Sequence, residues 1–251
     1  MDWIHSLGLF VGSLIANTLA SLSGGGAGLL QFPLLIFLGL PFSTALATHK
    51  VASVALGLGA AFTHIKQKSI PPTIALYLIL VGSLGVIIGA NLVLMIPENI
   101  AEKALGGMIL AIGIYSRVKK QLGQEEIQAN RTVTGWTIGG IIFVLIGIIN
   151  GSLTAGSGLL VTLFLVRWFG FSYKQAVALT MICVGLFWNG IGGIAMIQAG
   201  APIHWPWLGT LLLASLLGGA LGAFLTTRLS NQFIKLCFEL LTAAVGIKLL
   251  V

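Results

Sequence analysis

Apolar residues run along this chain in long stretches, separated by short polar or proline-containing turns. A membrane-crossing helix needs roughly 20 apolar residues. On that measure the chain reads as helical segments at about 6–22, 28–40, 43–65, 72–95 and 100–117, then at about 133–152, 157–169, 173–197, 206–226 and 233–251. Gly39-Leu40-Pro41 closes the second segment and Lys66-Gln67-Lys68 the third. Pro71-Pro72 opens the fourth, proline being tolerated in a helix's first turn. Pro97-Glu98-Asn99 makes the next turn. One hydrophilic linker, Arg117 to Arg131, carries Lys119, Lys120, Glu125 and Glu126. The fold class this predicts is all-α, a polytopic transmembrane helix bundle.

Two glycine-rich breaks interrupt the apolar pattern: Ser21-Leu22-Ser23-Gly24-Gly25-Gly26-Ala27-Gly28, and Asn150 to Gly158. Apolar chain on both sides places each break within or beside the membrane. Non-helical backbone survives there only where protein or a wet cavity satisfies its polar groups. Paired breaks, one per half, point to a binding site in a transporter. The segments after them, about 13 residues each, rise only ~20 Å. Ten spans, or six spans plus two re-entrant hairpins, are both open.

The two halves repeat. At an offset of 130, Gly26, Gly28, Leu29 and Leu30 fall on Gly156, Gly158, Leu159 and Leu160. At 133, Gly57, Gly59, Gly85, Gly89 and Ala90 fall on Gly190, Gly192, Gly218, Gly222 and Ala223, and Gly113-Ile114 on Gly246-Ile247. The three-residue insertion is expected around Arg167 to Phe171. This reads as an internal duplication, with a first transmembrane repeat at 1–118, a linker at 119–132 and a second repeat at 133–251.

Composition agrees. Of 251 residues, 57% are apolar and 8% charged, against about 25% charged in a soluble domain; the mean hydropathy is +1.05. The net charge of +7 marks topology, not a nucleic-acid face. With the linker cytoplasmic and five segments per half, ten of the 13 basic residues fall on that side: Lys66, Lys68, Arg117, Lys119, Lys120, Arg131, Arg167, Lys174, Arg228 and Lys235. The opposite loops hold little beyond Glu98, the Glu102/Lys103 pair and His204. That bias follows the positive-inside rule. Five is odd, so the repeats are inverted in the membrane, with both termini outside. The expected location is the cell (inner) membrane, multi-pass. Cys183 and Cys237 lie in apolar runs and argue against a disulfide or metal site. The Asp2/His5 N-terminus lacks the basic region of a cleaved signal peptide.

Candidate chemistry centres on the breaks. Helices starting at Gly28 and Gly158 would aim free N–H groups inward, a ready anion site, with Ser23, Thr154 and Ser157 as hydroxyl donors. Gly25, Gly26 and Gly156 belong to the same breaks. Gly85-x-x-x-Gly89 and Gly218-x-x-x-Gly222 read instead as close-packing motifs. Lys50 lies ~10 Å into its segment, in Ala47-Thr48-His49-Lys50. A lysine there is functional by default; snorkelling to the outer interface is the competing reading. His49 is balanced between proton relay and structure, while His64 reads as interfacial. Asn189 reads as an interhelical hydrogen-bonding group or a site residue. Glu239 reads as a partner of Lys235 one turn away. Trp205 and Trp207 read as an interfacial belt. There is no phosphate loop, no His-Glu-x-x-His and no clustered carboxylates. No enzyme, cofactor or bound metal is expected.

These residues resemble the TauE/SafE sulfite exporter family of membrane permeases. The likeness rests on the glycine-rich run, Phe32-Pro33-Leu34-Leu35, Leu38-Gly39-Leu40-Pro41, and Ala47-Thr48-His49-Lys50, where His49 replaces the family's asparagine. In the second half it rests on Thr154-Ala155-Gly156-Ser157-Gly158 and the Ala178-Leu179-Thr180 to Asn189 region. The resemblance implies a carrier of small sulfur oxyanions such as sulfite, or of organosulfonates and sulfoacids, coupled to an ion gradient. Carried over by position, it implies a site lined by Gly25, Gly26, Gly28, Thr48, Lys50, Thr154, Ser157 and Asn189, with Thr180 beside it. Some members carry a lysine just after the second-half threonine, where this chain has Met181. The expectation is a secondary transporter of a small anion working by alternating access. Its alternatives are an anion channel of the same fold and a membrane accessory subunit. The expected partners are that anion, the bilayer and, as an option, a second copy of the chain; nucleic acid is not expected.

Overall fold

In the computed structural model the described residues are 3–24, 27–66, 71–118 and 128–226, with isolated positions beyond 227. Gly25, Gly26, most of the linker and most of the tenth segment, including Cys237 and Glu239, lie outside them. The elements are α1 (Trp3–Ser23), a 3-10 turn (Ala27–Leu29), α2 (Gln31–Phe37), α3 (Phe42–Lys66), α4 (Pro72–Leu92, continued by a 3-10 turn Val93–Met95), α5 (Glu98–Val118), α6 (Val133–Ser152), α7 (Ser157–Phe169), α8 (Tyr173–Thr180), a π-helical stretch (Met181–Trp188), α9 (Asn189–Gln198) and α10 (Trp205–Thr226). The described residues form no strand. The all-α expectation holds.

Local chemistry explains the ends. Pro72 starts α4, the Thr132 side chain accepts from the Gly135 N–H at the start of α6, and Ser172 with Gln175 forms a capping box on α8. Five helical stretches are long and apolar enough to cross a membrane: Phe42–His64, Pro72–Met95, Val133–Ser152, Lys174–Gln198 and Trp205–Thr226. α2, with 7 residues, and α7, with 13, are too short for a hydrocarbon core of ~30 Å. The expected segment at 28–40 is thus a 3-10 turn followed by a short helix. The glycines before it carry no side chains to pack, and Pro33 is tolerated only because it falls in the first turn. The expected single helix at 173–197 is instead α8, a π-helical stretch and α9.

α1 packs along α10, α6 along α4, and α10 also crosses α3. The Gly-x-x-x-Gly pairs make these contacts. Gly85 and Gly89 lie on the α6 backbone at Val144 and Ile148, and Gly147 and Gly151 reciprocate on Gly82 and Val86. A Cβ at Gly218 would come within 2.7 Å of Asn17 Cβ on α1. Two apolar cores flank the centre, one around Phe32, Leu46 and Leu159, the other around Phe143, Phe169 and Trp188. Outward-facing rows, such as Leu76, Leu80, Leu84 and Ile88 on α4 and Leu213, Leu217 and Leu221 on α10, are exposed. Bare leucine rows are what a helix presents to lipid.

Candidate functional site

The two breaks meet in space. A Cβ on Gly28, in the 3-10 turn, would lie 2.7 Å from Thr154 Cγ2 and 2.9 Å from the Thr154 carbonyl carbon, so the first break can approach the second only without a side chain there. Thr154 has φ 56° and Gly156 φ 72°. A left-handed β-branched residue is strained. This turn stops α6 and restarts the chain as α7 at Ser157.

Lys50 comes to this junction from α3 and is fully buried. Its ammonium donates to the Asn150 main-chain carbonyl at 2.7 Å and lies 3.3 Å from Asn150 Oδ1. Asn150 is in the last turn of α6, where carbonyls lack helical partners and the helix dipole is negative. Snorkelling is therefore excluded as the reading of Lys50. Asn150 Nδ2 donates to Ser157 Oγ (2.9 Å) and lies 3.3 Å from Asn189 Oδ1; the Ser157 hydroxyl donates to the Thr154 carbonyl (2.6 Å). Gly192 and Gly193 on α9 leave room for the Lys50 chain. The π-helical stretch ends immediately before Asn189. Its wider turn shifts the register of every residue after it, Asn189 included.

The neighbouring side chain, His49, turns elsewhere. Its Nδ1 lies 2.9 Å from Gln31 Oε1. The Gln31 amide nitrogen donates to Ser13 Oγ and, at 3.0 Å, to Ser215 Oγ. Asn17 Nδ2 donates to the Ser13 carbonyl and hydroxyl (2.7 and 3.2 Å). All five residues are fully buried. A third cluster ties the breaks to α8: the Thr162 hydroxyl donates to the Gly24 carbonyl (3.2 Å), and the Thr180 and Thr162 hydroxyls are 2.8 Å apart. Gly24 has φ 68°.

Of the residues expected from sequence, Lys50, Thr154, Gly156, Ser157, Gly158, Asn189 and Gly28 thus gather at one junction. Thr48 does not face it, since its hydroxyl accepts from the His204 N–H (2.9 Å). His49 and Thr180 belong to separate networks. Gly25, Gly26 and the Ser23 side chain lie outside the described residues. His64 is 3% exposed, buried against protein at the end of α3. Sequence reasoning passed over Asn150, Gln31, Ser13, Asn17, Ser215 and Thr162. One signal was available: Asn150 opens the second glycine-rich break. Among the described residues no group of three metal-ligating side chains forms.

Comparison with known proteins gives a consistent picture. A family model described as "Sulfite exporter TauE/SafE" matches residues 9–249. The chain is 26% identical to "Probable membrane transporter protein YfcA" of Escherichia coli (strain K12) over 242 residues, 96% of this chain and 88% of that protein. It is 29% identical to "Probable membrane transporter protein YjnA" of Bacillus subtilis (strain 168), covering 97% of each. It is also 26% identical to a "Probable membrane transporter protein" of Haemophilus influenzae over 86% of this chain and 82% of that one. No solved structure matches.

Proposed function

The chain belongs to the sulfite exporter TauE/SafE family, and on that premise we propose that it is a secondary carrier of a small anion of the sulfite or sulfonate class. The observation that supports this most is Lys50. A buried charge is expensive unless paired, and the partners of this ammonium among the described residues are the neutral oxygens of Asn150. A bound anion would complete it. Ser157 and Asn189 would offer hydrogen-bonding groups, and the N–H groups opening α7 a partial positive charge. His49 and Thr48 face other partners and stay outside this set.

The two repeats would be inverted about the membrane plane, as the charge pattern suggests. Each half's first helix lies on the other half's fourth, α1 on α10 and α6 on α4, an exchange that a two-fold relation produces. Rocking one half against the other would open the junction to each side in turn. The linker would be cytoplasmic and the protein would lie in the inner membrane of the cell.

Binding tests this directly. Purified protein in detergent is melted with sulfite, thiosulfate, methanesulfonate, sulfate or chloride at constant ionic strength. A ligand of the folded state at 100 times its Kd stabilises by about 2.7 kcal/mol. One sulfur anion is expected to raise the melting temperature in wild type and not in Lys50→Met. That variant should itself fold, since Met keeps the length of the lysine stem and removes a buried charge that is costly unless paired. An equal shift in Lys50→Met would overturn the assignment.

A further inference from the structure

A trough runs between α5, α6 and α7 and encloses about 570 Å³. Each helix gives it one stripe: Met108, Ala111 and Tyr115 on α5, Ile142 and Ile149 on α6, Leu160 and Arg167 on α7. Spacings of three, four and seven put each set on one helix face. The trough therefore follows the helix axes for about seven residues, ~10 Å. It stays open because α5 packs on α3 and not along α6 or α7. The opposite side of α5, at Leu105 and Ile109, is buried in the core.

The trough is polar at one end. Arg167 is in the last turn of α7, and Tyr115 is close to the end of α5. The linker reaches the same end, where the Ala129 N–H donates to the Phe169 carbonyl (3.3 Å) and Asn130 Nδ2 to the Trp168 carbonyl (2.8 Å). Arg167 is exposed, and among the described residues its guanidinium has no hydrogen bond or ion pair. At the other end Ile149 adjoins Asn150 and Leu160 follows Ser157 within a turn, so the apolar lining reaches the back of the junction.

We propose that this trough holds one phospholipid with an anionic headgroup, drawn from the leaflet on the linker side. One acyl chain lies between α5, α6 and α7, and the phosphate sits on Arg167 beside the Tyr115 hydroxyl. The inference is independent of the anion reading above.

Charge and shape select this occupant together. The five N–H donors of an arginine form a planar fork that matches phosphate oxygens. Apart from Arg167 and Tyr115 the lining is hydrocarbon, and its ~10 Å fits inside one leaflet's share, ~15 Å, of the hydrocarbon core. A free inorganic anion would meet the guanidinium and leave the trough bare. A neutral lipid would fill the trough and leave the guanidinium without a counter-charge. Lys174, just past the turn that ends α7, is a second exposed cation on this side, which disfavours a headgroup that carries its own ammonium. The tenth segment meets α5 elsewhere: Gly246 lies against Leu110, on another face of the helix from Met108, Ala111 and Tyr115.

The test uses full-length protein stripped of lipid in detergent. It is titrated with dioleoylphosphatidylglycerol or dioleoylphosphatidylcholine, which share their chains, and bound lipids are counted by native mass spectrometry. Wild type should take its first phosphatidylglycerol about fivefold more tightly than phosphatidylcholine, the worth of one arginine near an anionic headgroup. Arg167→Gln should lose that preference. Ala111→Phe fills the trough from its lip, where Ala111 is exposed, and should abolish the saturable first site for both lipids. Leu163→Phe, from the α7 wall, repeats the test should the first filling variant fail to fold. Glycerol 3-phosphate, a headgroup without chains, should not displace the lipid. Equal wild-type affinity for the two lipids, a preference that survives in Arg167→Gln, or a first site that survives in a folded filling variant overturns the proposal. So does displacement by glycerol 3-phosphate, which would reduce the site to a phosphate contact. A dimer that Ala111→Phe converts to monomer without loss of bound lipid would assign the trough to a second copy of the chain and overturn it as well.

Discussion

Asn150 does more at the junction than any residue singled out from sequence. Its carbonyl and amide oxygen face Lys50, and its amide nitrogen reaches Ser157 and Asn189, so one side chain sets the position of groups from three elements. Asn150→Asp changes little in shape and much in charge. It places a carboxylate against Lys50, and the resulting ion pair occupies the cation that an anionic substrate would need. The expected result is apparent anion affinity lower by about 100-fold, roughly 3 kcal/mol, with the melting temperature of the empty protein held or raised. Isothermal titration of the sulfur anion that stabilises wild type checks this. Undiminished affinity in the Asp variant would remove the Lys50–Asn150 pair from the site.

The breaks act as elements through backbone geometry. Gly28 lets the 3-10 turn sit on the Thr154 main chain, and Gly28→Val would push the two breaks apart. Overpacking of this kind costs about 1–3 kcal/mol, so the melting temperature of the empty protein should drop by several degrees. At Thr154, φ 56° stores strain of about 1–3 kcal/mol, and glycine would relieve it at an unfolded-state entropy cost of about 0.5–1 kcal/mol. Thr154→Gly is therefore expected to melt at or above the wild-type temperature, yet to transport more slowly because the junction loses a fixed shape. A variant that melts several degrees lower would show that the threonine side chain contributes more than its backbone costs. The π-helical stretch is a third such element. Gly57 on α3 crosses it at Gly185 and Leu186, and Trp188 anchors its end by donating to the Leu78 carbonyl at 3.0 Å.

For the whole molecule, the pairing of α1 with α10 and of α6 with α4 ties each half to the other along most of a helix length. The proposed rocking would act through these interfaces or slide along them. The charge pattern makes a separate topological prediction. In a chain stripped of Cys183 and Cys237, a cysteine at Gln124 in the linker should react with an impermeant maleimide only from the cytoplasmic side. One at Pro202, before α10, should react only from outside. Labelling of both from one side in oriented vesicles would rule out the inverted arrangement.

What the sequence by itself determined is what depends on neighbours along the chain. The glycine breaks, the limits of α6 and α7, the proline and polar turns and the Gly-x-x-x-Gly packing motifs all follow from local chemistry, and among the described residues the structure places the limits of α6 and α7 and the Gly-x-x-x-Gly contacts where the residues predict. Lys50 stood out for the same reason, since charge within an apolar run is visible locally. Its partner was not, because Asn150 lies 100 residues away and an asparagine ending an apolar helix reads like any other polar terminus. Gln31, Ser13 and Ser215 are equally ordinary in sequence; only the packing of α1, α2, α3 and α10 brings them to His49. The π-helical stretch escaped notice because hydrophobic residues pattern alike in α and π turns, and its extra residue is set by the fit of Gly57 and Trp188 against it. Tertiary structure alone decided which polar side chains are buried together, since that choice depends on contacts between distant segments and not on local propensity.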